Sequence, residues 1–203
     1  MRGGRFQVID NFYQDPLAVR ELARTVEYHP EGDLRKKFPG EESTADYFSD
    51  ALIEKFSRAL GKEVLVDRTR NAFGRFRYAR KADVRPTQVH YDDTDYTAVV
   101  YLSLDRDCRG GTQFFRHRET GLDGPPSAQW LSERRLTHQE FDAQIVLRDT
   151  LNSQKWELVE QCDMRFNRCV LLKGRDYFHG ADHIFGDSFE DARLTQNFFF
   201  NVR

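Results

Sequence analysis

Three cysteines in 203 residues, Cys108, Cys162 and Cys169, are odd in number and form no Cys-x-x-Cys pair. That leaves no material for a disulfide framework or a zinc knuckle and fits a reducing compartment. No charge of one sign dominates: 31 Lys and Arg stand against 33 Asp and Glu, for a net charge of -2 and a pI near 6.3. Both signs are interspersed, so no basic face is available for nucleic acid. No apolar run, in the opening MRGGRFQVIDNFYQD or later, approaches the ~20 residues that span a bilayer. Internal repeats and low-complexity linkers are also missing. These absences predict a soluble, cytoplasmic protein with neither nucleic acid nor membrane as a partner. What is abundant is aromatic: 17 Phe within a 13% aromatic content, far too much apolar surface for a disordered chain. The length suits one compact domain spanning 1–203.

Phe6 to Asp10 reads as a short opening strand. Asp15 and Pro16 then sit where an N-cap and the first helical residue belong, and Leu17, Leu22 and Val26 give the following helix an apolar face. A polar loop through Gly32, Pro39 and Gly40 precedes a second helix. Ser43 or Thr44 is its expected cap, and Tyr47, Phe48, Leu52, Phe56 and Leu60 recur at helical spacing, with Gly61 closing it. From about residue 63 the texture changes to short β-branched and aromatic runs: Val64–Val66, Ala72–Tyr78, Val89–Tyr91, Thr97–Leu104 and Thr112–Phe115. A helical insert over about 116–155 interrupts them, and strands resume at Trp156–Val159, Cys169–Leu172, Tyr177–Gly180 and Arg193–Val202. The expected fold is therefore α+β but mainly β, with a double-sheet roll over 63–203 behind an N-terminal strand and helices over 1–62.

Alternation along a strand puts His90 and Asp92 on one face and Tyr91 on the other. Two imidazoles and one carboxylate make the facial set that holds a non-haem Fe(II) and leaves the opposite face open. The third ligand has to come from elsewhere. His179, at the start of an apolar strand, is favoured; His183, beside Gly186, is its rival. Each has a bland alternative as a surface imidazole, and His90 itself sits before a polar turn. His29, His117 and His138 read as surface residues. On the C-terminal strand Arg193, Thr195, Asn197 and Phe199 share one face, and Leu194, Gln196, Phe198 and Phe200 the other. Both faces are bulky, so the strand is expected to be central and doubly buried. A buried arginine there needs a partner, either a structural carboxylate or a ligand's carboxylate gripped with help from the Thr195 hydroxyl.

This order of motifs resembles the Fe(II)- and 2-oxoglutarate-dependent dioxygenases, and within them the prolyl 4-hydroxylase-like branch. The residues carrying the resemblance are His90-Tyr91-Asp92, the strand Thr97 to Leu102, Gly110-Gly111-Thr112-Gln113-Phe114-Phe115, His179 and Arg193, with Phe6 to Phe12 similar to the family's opening strand. The resemblance implies a double-stranded β-helix, the jelly-roll or cupin-like fold, with N-terminal support helices. It implies His90, Asp92 and His179 on the iron, Arg193 and Thr195 on the far carboxylate of 2-oxoglutarate, and O2 as second co-substrate. By their placement on strands Tyr78 and Tyr101 are candidate donors to the co-substrate, although a strand tyrosine more often serves as ordinary core. Phe114, Phe115 and Phe199 would shield the metal, and a plain core would use the same residues.

Three departures stand out. Arginine replaces the branch's usual lysine at the co-substrate anchor. The gap from His179 to Arg193 is long, a surplus assigned to a loop through Gly186. The insert over 116–155 has no counterpart and is expected to cover the site's mouth. Because Asp92 is a carboxylate, no ligand position is vacated for a halide. The implied activity is hydroxylation of an unactivated C–H of a peptide or protein side chain, or of an amino-acid-like small molecule; the substrate-binding residues are unassigned. Two alternatives stay open: a cupin-like metalloprotein without 2-oxoglutarate, and a non-catalytic binding module. A homodimer also stays open.

Overall fold

The computed structural model describes residues 4–29, 38–83, 88–181 and 183–203. Gly32 of the expected loop lies outside them. Two antiparallel sheets face each other. The larger contains β1 (Phe6–Ile9), β8 (Cys169–Leu172), β5 (Tyr96–Tyr101), β10 (Arg193–Val202), β4 (Phe73–Ala79) and β2 (Glu41–Glu42) in that spatial order, with β3 (Val64–Leu65) pairing the end of β10. The smaller runs β7 (Trp156–Asp163), β6 (Gly111–His117), β9 (His179–Ala181), and an isolated bridge adds His90 beside His179. This is the double-stranded β-helix arrangement, a double-sheet roll.

The N-terminal helices pack on the outer face of the larger sheet. Helix α1 (Pro16–Thr25) begins as expected, with the Asp15 carboxylate accepting from the Ala18 N–H and proline in the first turn. Helix α2 (Asp50–Leu60) ends on Gly61 in the left-handed region, but it begins seven residues after Ser43. Residues before it are drawn into the sheet instead: the Ser43 N–H donates to Phe76 O and the Tyr47 N–H to Gly74 O. Tyr47 and Phe48 still reach the core, from extended backbone. Phenylalanine is the commonest residue of that core. Phe56 of α2 meets Phe198 and Phe200 at ring distances of 5.2 and 5.3 Å, and Phe73 meets Phe198 at 5.1 Å.

β10 is buried on both faces, as its alternation predicts. Leu194, Phe198 and Phe200 join the helix-side core, while Arg193, Thr195, Asn197 and Phe199 face a cavity between the sheets. The insert folds as α3 (Ala128–Arg134), α4 (His138–Phe141) and a π-helical stretch, Asp142–Leu147. Its apolar residues Leu131, Phe141, Ile145 and Val146 pack with Val89, Phe115, Trp156 and Phe178 on the outside of the smaller sheet.

Phe198 sits at the centre of this aromatic cluster with no exposed surface. Phe198→Ala should cost about 3–5 kcal/mol in urea unfolding; a loss below ~1 kcal/mol would show that the cluster collapses around the gap or does not hold the sheet.

Candidate metal centre

Two backbone hydrogen bonds build the site. The His90 N–H donates to His179 O at 3.0 Å, and the His179 N–H donates to His90 O at 2.8 Å. This reciprocal antiparallel pair sets the two imidazoles on one face with ring centroids 4.5 Å apart. Each ring is oriented by the same local device. His90 Nδ1 lies 3.3 Å from Gln88 O and His179 Nδ1 lies 2.9 Å from Tyr177 O. A carbonyl only accepts, so each Nδ1 carries a proton toward it and Nε2 is left as the ring atom that faces the site. Asp92, two residues after His90 on the same face, completes the group: Nε2 of His90 is 3.6 Å from Oδ1, and Nε2 of His179 is 3.3 Å from Oδ2. One donor atom of each residue lies within 4.8 Å of the other two.

Asp92 is held from three sides. Its N–H donates to Gly174 O at 2.9 Å, the Thr97 hydroxyl donates to Oδ2, and Gly174 packs directly against the carboxylate. A Cβ at Gly174 would stand 2.4 Å from Asp92 Oδ2 and 2.7 Å from Thr97 Oγ1. Glycine is thus required here for close approach, not for its backbone conformation. Burial alone would raise the Asp92 pKa, but the His179 and His90 imidazoles and the Thr97 hydroxyl hold it at about 2. Burial works against a charged His179, yet the Asp92 carboxylate outweighs it and raises the imidazole's pKa. Thr97 and Gly174 carry no mark in the sequence that separates them from an ordinary strand threonine and turn glycine.

The triad opens into a cavity of about 170 Å³. Arg193, 9% exposed, and Thr195, fully buried, line it, with Arg77, Thr112, Asn197 and Phe199. The Arg193 guanidinium lies 5.7 Å from the centre of the Tyr101 ring, and Tyr101 Oη is 2.7 Å from Thr112 Oγ1. Tyr101 therefore sits under the arginine, one residue removed from the lining. Phe114 lies behind His179, with ring centroids 6.4 Å apart.

Several expected positions are corrected. Tyr78 faces the other way, against Tyr28 and Phe189 at 4.9 and 5.1 Å, because a register shift beside Gly74, at φ 95°, changes which β4 residues look inward. Arg77 and Ala79 take the cavity side. Phe115 packs outward with the insert. His183 is exposed and does not line the cavity, so His179 is the histidine brought to Asp92. No residue of 116–155 lines the cavity either: the insert braces the His90 strand from behind. The Thr150 hydroxyl donates to Val89 O at 2.8 Å and accepts from the Gln88 and Val89 N–H groups, and the Tyr91 hydroxyl donates to Asp142 Oδ1 at 2.6 Å.

His117, expected at the surface, is fully buried. With Glu119 and Asp149 it forms a second cluster of ion-binding residue types, but its functional groups are already engaged. Its Nδ1 is 3.0 Å from Thr120 Oγ1 and its Nε2 3.0 Å from Asp149 Oδ2, while Arg148 pairs with Asp149 and Lys155 with Glu119. This is a structural ion-pair cluster.

A family model described as Family of unknown function (DUF6445) matches residues 2–200. No curated protein matches. Among solved structures, the selenomethionine-labelled Fe(II)/α-ketoglutarate-dependent dioxygenase TqaL matches with a TM-score of 0.51 at 10% identity, over 98% of this chain and 83% of that one. At that identity the likeness establishes the fold. Among the described residues no helix is long and apolar enough to cross a membrane.

Hydrogen bonding from Arg148, and then from His117, holds Asp149 at about 2, below the ordinary carboxyl value of about 3.9. A depressed folded-state pKa contributes stability that is complete above the unfolded value and lost as pH falls through the folded one. Wild type should therefore lose about 1–2 kcal/mol between pH 5 and pH 2 that Asp149→Asn does not lose, the figure kept low because Arg148 is half exposed. Urea unfolding of both proteins across that range is the measurement; identical acid limbs would refute it.

Proposed function

We propose that this chain, which belongs to the DUF6445 family of unknown function, is a non-haem Fe(II)- and 2-oxoglutarate-dependent dioxygenase that hydroxylates an unactivated C–H. The observation that carries this reading is the His90, Asp92, His179 group opening into a cavity that also holds Arg193 and Thr195. Donor atoms about 2.1 Å from one ion and at right angles stand about 3.0 Å apart. The separations of 3.3 and 3.6 Å here lie within a small side-chain adjustment of that. The residues fit the metal: two imidazole nitrogens and one carboxylate on one side, with the other side facing the cavity.

When bound, Fe(II) with 2-oxoglutarate and O2 supplies oxidative decarboxylation to succinate and CO2, one oxygen atom entering succinate and the other the substrate hydroxyl. The chain's own residues provide geometry. His90 and His179 present Nε2 because backbone carbonyls hold Nδ1. Thr97 and Gly174 fix the Asp92 carboxylate. Arg193 and the Thr195 hydroxyl offer a fork and a further donor to the far carboxylate of the co-substrate, and Tyr101 supports the arginine from beneath. Phe199 and Leu172 close the cavity with apolar surface.

The same reading takes residues 1–203 as one dioxygenase-like domain of the prolyl 4-hydroxylase-like branch. Its substrate would be a peptide or protein side chain or an amino-acid-like small molecule. The three free cysteines suit the reducing cytoplasm.

Anaerobic titration with Fe(II) and 2-oxoglutarate, followed by the visible charge-transfer band of the keto-acid chelate, tests the assignment. The band should be lost in His179→Ala and kept in His183→Ala. Arg193→Ala should need at least about tenfold more 2-oxoglutarate, the loss expected for a buried charge-assisted contact. Gly174→Ala should weaken metal binding about 10–100-fold by displacing Asp92. A wild type that binds metal but shows no band would favour a cupin-like metalloprotein without 2-oxoglutarate.

A further inference from the structure

We infer that the substrate group brought to the triad is uncharged and apolar, and that Phe38 is the side chain it packs against. The inference rests on the dioxygenase reading and adds the substrate class to it.

Among the described residues Phe38 is an aromatic residue of the cavity lining whose ring stands against the triad, its centroid 4.7 Å from that of His90. Its position is held before anything binds. The Arg77 guanidinium donates to the carbonyls of Phe38 and Pro39 at 3.5 and 3.2 Å and lies 5.7 Å from the centre of the Phe38 ring. Arg77 is itself fixed by Glu42, at 2.5 Å, and Glu42 sits on β2, hydrogen-bonded into the sheet edge beside β4. A pre-set aromatic wall favours a ligand that needs apolar surface, because no ordering has to be paid for on binding.

Charge points the same way. Among the described lining residues the formal charges are Glu42 and Asp92 against Arg77 and Arg193, two of each sign. A divalent metal and a dicarboxylate co-substrate then also cancel. Among the described lining residues a charged substrate group would meet no counter-charge beyond these two balanced pairs, and burying it there is costly. Pro39, Val99, Leu172, Ala181, Ile184 and Phe199 add further apolar lining.

The test uses the full chain loaded anaerobically with Fe(II) and 2-oxoglutarate, and N-acetyl amino-acid amides as probes. Leucine, proline and phenylalanine amides are compared with lysine and aspartate amides, so that only the side chain differs. Binding is read as perturbation of the chelate's visible band, and succinate is measured after O2 is admitted. At least one apolar probe should perturb the band at about tenfold lower concentration than either charged probe, and should raise succinate formation. Phe38→Ala should erase about tenfold of that preference, the scale of a lost apolar contact in a pocket, and Phe38→Leu should restore most of it. Charged probes that bind as well as apolar ones, a band that no apolar probe perturbs, or a preference untouched in Phe38→Ala would each overturn the inference. Absence of the band before any probe is added would overturn the dioxygenase reading itself, and is seen separately.

Discussion

The reciprocal backbone pair between His90 and His179 is the constraint on which the site depends. The two histidines are 89 positions apart in sequence, and nothing covalent brings them together. Two hydrogen bonds do, and the antiparallel geometry then leaves no choice about where the side chains go. Asp92 follows by parity: two residues on, same face. Each imidazole is then turned by the carbonyl two residues before it, Gln88 for one and Tyr177 for the other. A slip of one residue in this pairing would send one imidazole to the opposite face. Gly180 shows how tightly the pairing is enforced, since a Cβ there would stand 2.2 Å from Gln88 O.

The second constraint is β10, which must satisfy two incompatible environments along one strand. Its outward Phe198 and Phe200 lock into phenyl rings from α2 and β4, and its inward residues are Arg193, Thr195, Asn197 and Phe199. Burying a guanidinium is tolerable only where polar partners are concentrated. The outer aromatic cluster offsets that cost by fixing the strand from its other side. Cavity lining and core packing are thus carried by alternate residues of the same ten.

How much of this was legible in the sequence follows from which rules are local. The parity of His90 and Asp92 and of the two faces of β10 needs only the period of a strand, and both were readable. The choice of His179 over His183 was readable as a preference, because an apolar run leads into the first and Gly186 follows the second. Tyr78 was misplaced because parity holds only in an unbroken strand. The irregularity at Gly74 lets Phe73 and Phe76 both face the helices, and every later residue of β4 takes the side opposite to the one counted from Phe73. His117 looked like a surface residue among polar neighbours; its burial depends on Asp149 and Trp156, more than thirty positions away. Gly174 read as a turn glycine, and its turn is real, but its contact with Asp92 belongs to tertiary structure alone.

The insert completes the argument by its position rather than its size. The segment bearing His90 and Asp92 pairs with β9 through a single bridge, not a ladder, so backbone pairing alone would hold it weakly. Thr150 makes up for the missing ladder from behind, serving as donor to Val89 O and acceptor from two N–H groups. Tyr91, on the face turned away from His90 and Asp92, reaches Asp142 in the π-helical stretch, a backbone irregularity of the kind that re-aims a side chain. The segment expected to cover the mouth lines none of the cavity that holds Arg193 and instead braces the stretch bearing His90 from its other face. The cavity side of the strand stays open because its support comes from the other face, and changes in the insert would alter the aim of His90 and Asp92 without touching the cavity itself.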